Sequence, residues 1–393
     1  MTRYIHIVII FIFSSRLCSQ HVPISREAKK DDVIAQDSLV LSKPVIKKLS
    51  FDGLDGPYIV NDTLFRVNSQ NQFIIEKHFD TDSLIIQASN TYADYFHLSL
   101  KSDYKVPKSS YDLPDKMIVI SDVEGKFNAF SSFLMTNKVI DENHNWIFGD
   151  GHLVLLGDFV DRGRNVTQVL WLIYKLEYQS LAEGGQVHFI LGNHEVLNFQ
   201  GDHRYNNGKY IKVAQEISRE ENKIKAVKFM FSDRSELGKW LATKNVIEKI
   251  GDYLFVHAGL SPEILSYGLT LDEINIKVRS RFKKDSSNKD KVIDFLYGAK
   301  GPFWYRGLVM NRLNYKKIKA VDLERILSHY NSKKIVIGHT IVKDISTGYS
   351  GKVIMVDVPH GHDKFTGKTK GILIENGKEF SIDDLGNKIS LGK

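Results

Sequence analysis

The sequence predicts an α/β fold preceded by a small β-rich N-terminal accessory unit, and three observations carry that reading. First, the stretch from Leu153 to Glu195 runs apolar, amphipathic, apolar, with Val166, Val169, Leu170, Ile173 and Leu176 at helical spacing between two strand-like runs. A strand–helix–strand unit is parallel. The polar ends of its two strands, GDFVDRG (157–163) and GNHE (192–195), therefore share the carboxyl edge of one sheet. Second, three more apolar runs end abruptly in Asp or His, at Asp122, His257 and His339. Third, residues 51–113 switch to short β-type runs separated by Asp, Asn and Gly turns.

Taken in order, the chain opens with Arg3 and an apolar run from Ile5 to Phe13, followed by small and polar residues through Gln20. That run is too short to span a bilayer and fits a secretory signal peptide over residues 1–20, cleaved near Ser19 or Gln20. Export to a periplasm or the medium is the expectation. Leu17-Cys18 hints at a lipoprotein anchor, but Arg16 fits that poorly, and no stable membrane span is expected in the mature chain. Cys18 is the only cysteine in 393 residues, so disulfides and thiol nucleophiles are excluded from the mature protein.

Residues 21–50 read as a polar linker. Residues 51–115 form the accessory segment, with strands at Tyr58 to Val60, Thr63 to Val67, Gln72 to Ile75, Ser83 to Ile86 and Tyr95 to Leu100. The main domain spans 116–376. It starts with a strand from Met117 to Ser121 that ends in Asp122-Val123-Glu124-Gly125, then a helix presenting Phe127, Phe130, Phe133 and Leu134, with Asn128 as its cap. After the central unit come an irregular and then helical stretch to Met230, a helix from Leu237 to Ile247 and a strand ending at His257. Helical pieces from Leu271 to Leu296, an aromatic loop from Gly301 to Gly307 and a helix from Val321 to Tyr330 follow. The next strand ends at His339, and residues 353–358 and 371–374 read as a closing hairpin or strand pair. Residues 377–393 read as a C-terminal tail.

Hydrophobic content of 42% and charged content of 26% are ordinary for a folded domain. The net charge of +7 falls to +5 without Arg3 and Arg16, which favours anionic substrates. The positive residues are scattered rather than interleaved with aromatics, so no nucleic-acid groove is expected.

Five strand ends thus deliver Asp122, Asp158, Asn193, His257 and His339 to one place, where open α/β sheets bind ligands. Oxygen and nitrogen donors in that mixture suit Mn²⁺, Zn²⁺ or Fe better than Ca²⁺. Two divalent ions need a bridging carboxylate, for which Asp158 is central. Asp122, Asp158 and Glu124 would serve one ion, and Asp158, Asn193, His257 and His339 the other. A metal-bridged hydroxide would attack phosphorus in line. Arg162 and Arg306 would hold the nonbridging oxygens, and His194, oriented by Asp161, would protonate the leaving oxygen. Arg306 also lies close enough in sequence to Trp304 and Tyr305 to stack on them instead.

In this order, Asp122, GDFVDRG, GNHE, HAGL (257–260) and GHT (338–340) resemble the calcineurin-like metallophosphoesterases. The DRG form and the Trp304-Tyr305-Arg306 loop are most similar to the serine/threonine phosphoprotein phosphatase superfamily, and within it the Shewanella-like bacterial branch. The resemblance covers Lys116 to Ile374. It implies a four-layer αββα sandwich, a site for two divalent ions, and hydrolysis of phosphomonoesters on small molecules or phosphoproteins without a covalent intermediate. Manganese is the favoured ion, with Fe, Zn or Mg as alternatives. A phosphodiesterase or diadenosine-polyphosphate hydrolase is the alternative on the same scaffold, and a degenerate noncatalytic binding module the alternative of a different class. One position departs from the family pattern: Glu124 stands where Asp-x-His-Gly has histidine, which predicts a shift from iron toward Mn²⁺ or Mg²⁺, or a weaker first ion.

Overall fold

Alternation along the strands sets the layers of this protein. The computed structural model describes residues 44–48, 53–89, 94–282, 290–311 and 316–392. Strands β1 (Val45–Lys48), β2 (Asp55–Val60), β3 (Thr63–Val67) and β4 (Gln72–Lys77) form an antiparallel sheet in the order β1-β4-β3-β2, and β5 (Leu84–Gln87) pairs with β6 (Tyr95–Leu98) as a hairpin. The β-rich reading of this region holds. β1, however, falls inside the stretch read as a polar linker. It is an exposed edge strand, so no buried face marks it in the sequence. The rest of that linker and the signal-peptide segment lie outside the described residues.

The main domain follows with β7 (Ser110–Tyr111), β8 (Lys116–Ile120), α1 (Phe127–Thr136), β9 (His152–Leu155), α2 (Val166–Ala182), β10 (Gln186–Phe189) and α3 (Asn193–Gln200). Next come α4 (Gly208–Ser218), α5 (Lys223–Met230), α6 (Glu236–Leu241), β11 (Ile247–Ile250) and β12 (Tyr253–Val256). Helices α7 (Leu271–Phe282), α8 (Lys291–Tyr297) and α9 (Ala320–His329) then lead to β13 (Lys334–Ile337), β14 (Ser346–Gly348), β15 (Val353–Met355), β16 (Lys370–Glu375), β17 (Lys378–Asp383) and β18 (Lys388–Ser390).

Among the described residues these strands make two six-stranded sheets, β10-β9-β8-β16-β17-β18 and β14-β15-β13-β12-β11-β7. β8, β9 and β10 are parallel in the first, and β12, β13 and β15 in the second. Met117, Val119 and Val154 pack with Phe255, Val336 and Ile354 of the opposite sheet, whereas Ile118, Ile120, Leu153 and Leu155 face the helical core of Phe130, Phe133, Leu170 and Ile173. Both faces of the central strands are therefore buried, and the architecture is helix, sheet, sheet, helix.

Several expectations are corrected. Residues 353–355 and 370–375 do not form a hairpin, because β15 joins the second sheet and β16 the first. The helix expected to reach Ile247 stops at Leu241, and Ile247 opens a strand. The α1 N-cap is Lys126 rather than Asn128, with no side-chain cap bond. Finally, residues 378–390 are not a tail. β17 and β18 complete the first sheet as a polar antiparallel edge, and Ile382 turns into the core. The accessory strands and the main domain lie within one compact unit. Trp171 on α2 donates to the Pro57 carbonyl of β2 at 2.8 Å, and Asp55 of β2 is buried against Thr167, Tyr58 and Lys209. No described helix is long and apolar enough to cross a membrane.

Candidate active site

The parallel strands stop abruptly, and the residues just past them take conformations that side chains rarely adopt. Asp122, Glu124, Asp158, Asp161, Arg162 and His339 all have positive φ, between 50° and 71°. Six non-glycine residues in the left-handed region just past strands of the two sheets mark strain that the surrounding fold must hold in place. Gly192 makes the approach possible, because a Cβ there would collide with the Asp158 carboxylate and backbone.

Asp158, His257 and His339 present donor atoms that all lie within 4.8 Å of one another, and all three residues are buried. His257 Nδ1 donates to the Leu156 carbonyl at 2.6 Å, which fixes the tautomer and turns Nε2 toward Asn193 Oδ1 at 3.0 Å and Asp158 Oδ2 at 3.2 Å. His339 Nε2 is buried with no hydrogen-bond partner. Asp122 Oδ2 accepts the His339 backbone N–H at 3.0 Å. An orphaned imidazole nitrogen beside a carboxylate, an amide oxygen and a second oriented imidazole is a donor set that fits a divalent cation.

The charges here are strongly coupled. Burial opposes ionisation of Asp158, but His257 and His194 outweigh it and hold the carboxylate well below its usual range. Burial raises Asp122, only partly offset by His257. Burial, His257 and Arg306 together push His339 down, leaving its ring neutral and able to ligate.

His194 stands just off the donor set. Its backbone N–H binds Asp158 Oδ1 at 2.9 Å, and its Nδ1 donates to Asp161 Oδ2 at 2.7 Å. Asp161 Oδ1 in turn accepts from Asn198 at 2.9 Å and from Asn206. Burial opposes the charge on His194, but Asp158 and Asp161 dominate and push it up to about 9. An imidazolium held by a carboxylate on one side leaves Nε2 as a proton donor on the other.

With that geometry in view, the comparisons with known proteins are decisive. Residues 116–343 match the calcineurin-like phosphoesterase family model. The chain belongs to that family. It is 30% identical over 227 residues to Shewanella-like protein phosphatase 1 of Plasmodium berghei (strain Anka), covering 57% of this chain and 61% of that protein, less than two thirds of its length. It is 24% identical over 319 residues to Shewanella-like protein phosphatase 2 of Arabidopsis thaliana, covering 70% of this chain and 80% of that one. The crystal structure of a cold-active protein-tyrosine phosphatase from a psychrophilic Shewanella species superposes with a TM-score of 0.74 at 30% identity, covering 86% of this chain and all of that one. The chain is therefore a phosphoric ester hydrolase of a family that uses divalent metals.

Within this calcineurin-like site, Glu124 and the two arginines are held by protein partners. Glu124 is ion-paired to Arg162 through one oxygen and lies 3.6 Å from Lys126 Nζ through the other. Arg162 also lies over the Tyr205 ring, 5.4 Å from its centre. Arg306 Nη1 donates to the His339 carbonyl at 2.6 Å and to Thr340 Oγ1 at 3.2 Å, which ties the aromatic loop to the β13 strand end. Tyr205 packs on His194 with ring centres 4.8 Å apart, so the segment after α3 covers the dyad. Arg204 there is exposed and paired with Asp202.

Sequence reasoning missed three groups. Glu195 is fully buried, and its carboxylate accepts the backbone N–H groups of Asp158, Phe159 and Gly192 at 2.8–2.9 Å. The GNHE spelling was its available signal. Asn206, which completes the Asp161 carboxylate, lies in a polar stretch without a pattern. Asp357 was hidden inside an apolar run.

Proposed function

We propose that this protein is an exported phosphatase that hydrolyses phosphomonoesters, phosphoproteins among them, with two divalent ions, manganese favoured. The observation that carries the reading is the His194–Asp161 pair set against the Asp158–His257–His339 donor cluster, a proton donor beside a site built for a cation. Asp122, Asp158, Asn193, His257 and His339 would hold the metal ions. These would supply Lewis acidity toward water and the phosphoryl group. His194, kept protonated by Asp158 and Asp161, gives its Nε2 proton to the leaving oxygen, and Asp161 holds the ring in line. Arg162 and Arg306 border the anion's path and offer guanidinium donors to the nonbridging oxygens. The solved tyrosine phosphatase and the Shewanella-like phosphatases support monoesters over diesters as the substrate class. Export rests on the Ile5 to Phe13 run alone.

The test is turnover of p-nitrophenyl phosphate against bis-p-nitrophenyl phosphate in chelator-treated protein reloaded with Mn²⁺, alongside phosphotyrosine and phosphoserine peptides. Monoester turnover that depends on added metal is expected. Faster diester cleavage would overturn the monoesterase reading, and recovery of the unprocessed chain in the cytosolic fraction would overturn export.

A further inference from the structure

Six parallel strands end at this edge, and the site described above takes residues from only five of them. The sixth is β15. Ile337 of β13 pairs with Met355 of β15, and the Val356 N–H continues the ladder to the Ile337 carbonyl at 2.9 Å. Two residues further along each strand, His339 and Asp357 therefore stand level on neighbouring strands. The Val342 N–H, donating to the Asp357 carbonyl at 2.9 Å, fixes that backbone.

The Asp357 side chain has no ordinary reason to be where it is. The residue is 3% exposed, and no described group donates a hydrogen bond to its carboxylate. Around it stand Asp122, Asp158 and Glu124, all of its own sign, with His257 as the opposing charge. A buried carboxylate with neither donor nor cation is among the costly arrangements in a protein interior. The adjoining His339 Nε2 is itself a buried, unpartnered atom, an independent sign that something positive belongs between these strands. Glu124, meanwhile, spends both oxygens on Arg162 and Lys126.

We propose that Asp357 is a ligand of the first divalent ion, with Asp122 and Asp158, at the place where Asp-x-His family members use the histidine that this chain replaces with Glu124. The proposal rests on the two-ion reading above and adds a ligand from a strand that reading leaves unused. Three carboxylates make that position hard, suited to Mn²⁺ or Mg²⁺ rather than Fe or Zn. Glu124 then becomes a positioning residue that anchors Arg162 at the anion's path.

Metal content and thermal stability test this without recourse to turnover. Metal-stripped wild type, Asp357→Asn, Asp357→Leu and Glu124→Gln are titrated with Mn²⁺ by calorimetry, bound metal is counted after dialysis, and Tm is measured with and without Mn²⁺. Wild type and Glu124→Gln should bind two ions per chain. Both Asp357 variants should bind one, or bind the second at least ~10-fold more weakly, a loss typical even of outer-shell partners. Removing an unpartnered buried carboxyl group should also raise the Tm of metal-free Asp357→Leu while shrinking its gain on adding Mn²⁺. A purely structural aspartate would not produce that pair of opposite shifts. Two ions bound with unchanged affinity in both Asp357 variants would overturn the proposal alone, as would loss of an ion in Glu124→Gln instead. Fewer than two ions in wild type would overturn the two-ion reading itself.

Discussion

At the scale of single residues, Asp158 is the hinge of the site, since it faces the rings of His257, His194 and His339 at once. Asp158→Asn should lower bound metal below two ions per chain and abolish turnover, and retention of both ions would remove the bridging assignment. His194→Asn should keep its metal and lose about 10²–10⁴ in kcat, with a smaller deficit for aryl esters whose leaving groups need less protonation. An equal loss across leaving groups would count against the proton-donor role. The imidazoles also predict a pH signature. Burial opposes charge on His194 and His257, yet Asp158 wins and lifts them to about 9 and about 10, from an ordinary 6.5. A group raised on folding contributes its full stability below its unfolded pKa and loses it as pH climbs through the folded value. Tm of metal-stripped protein should therefore fall between pH 6.5 and 10. Saturating Mn²⁺ should flatten the decline by competing with the proton at His257 Nε2. A metal-free Tm that stays level across that window would contradict the charge assignment.

At the scale of elements, the site is made by loops that leave strands at unfavourable φ, and Glu195 holds them. Its carboxylate gathers N–H groups from the β9 loop and from the start of α3, so it fixes the spacing between Asp158 and Asn193. Glu195→Ala would leave those donors buried and unmet at ~1–3 kcal/mol each. A Tm drop with weakened metal binding is expected, and Glu195→Gln should recover only part, because an amide cannot accept at all three. Unchanged metal affinity in the alanine variant would show that the loop holds its shape without it. The legibility of these elements followed a simple rule. Asp122, Asp158, Asn193, His257 and His339 were visible because each closes an apolar run with a metal-ligand type. Asp357 was not, because Val358 continues the run past the strand end and makes it look like one side of a hairpin. The helix read through to Ile247 failed for a related reason: Leu237, Leu241 and Ile247 keep an apolar spacing across a turn that only the structure resolves.

At the scale of the whole molecule, the layers were legible through the family resemblance, whereas the edges were not legible, because an edge strand is polar and reads like a loop. The stretch 377–393 is the sharpest case. It was read as a tail, yet Glu379 receives the Tyr253 hydroxyl at 2.8 Å and pairs with Lys334 across the two sheets. Asn137 and Thr136 at the end of α1 donate to the Asp383 and Asp384 carbonyls at 3.0 and 3.1 Å, and Ile382 is 3% exposed. A chain ending at Asn376 would uncover β16, with Ile372 and Ile374 behind it, and would strand the Tyr253 and Lys334 head groups. Burying one aliphatic side chain is worth ~1.5–3 kcal/mol and each lost buried hydrogen bond about 1 kcal/mol. The deletion should therefore cost several kcal/mol. With about 2–4 °C per kcal/mol for domains of 150–250 residues, Tm should fall by ~5 °C or more. The newly opened edge should also promote aggregation, while the donor cluster on the opposite side of β8 still binds Mn²⁺ in the soluble fraction. A truncated chain with full-length Tm and yield would show that the first sheet is stable without β17 and β18, and that the polar stretch is an appendage after all.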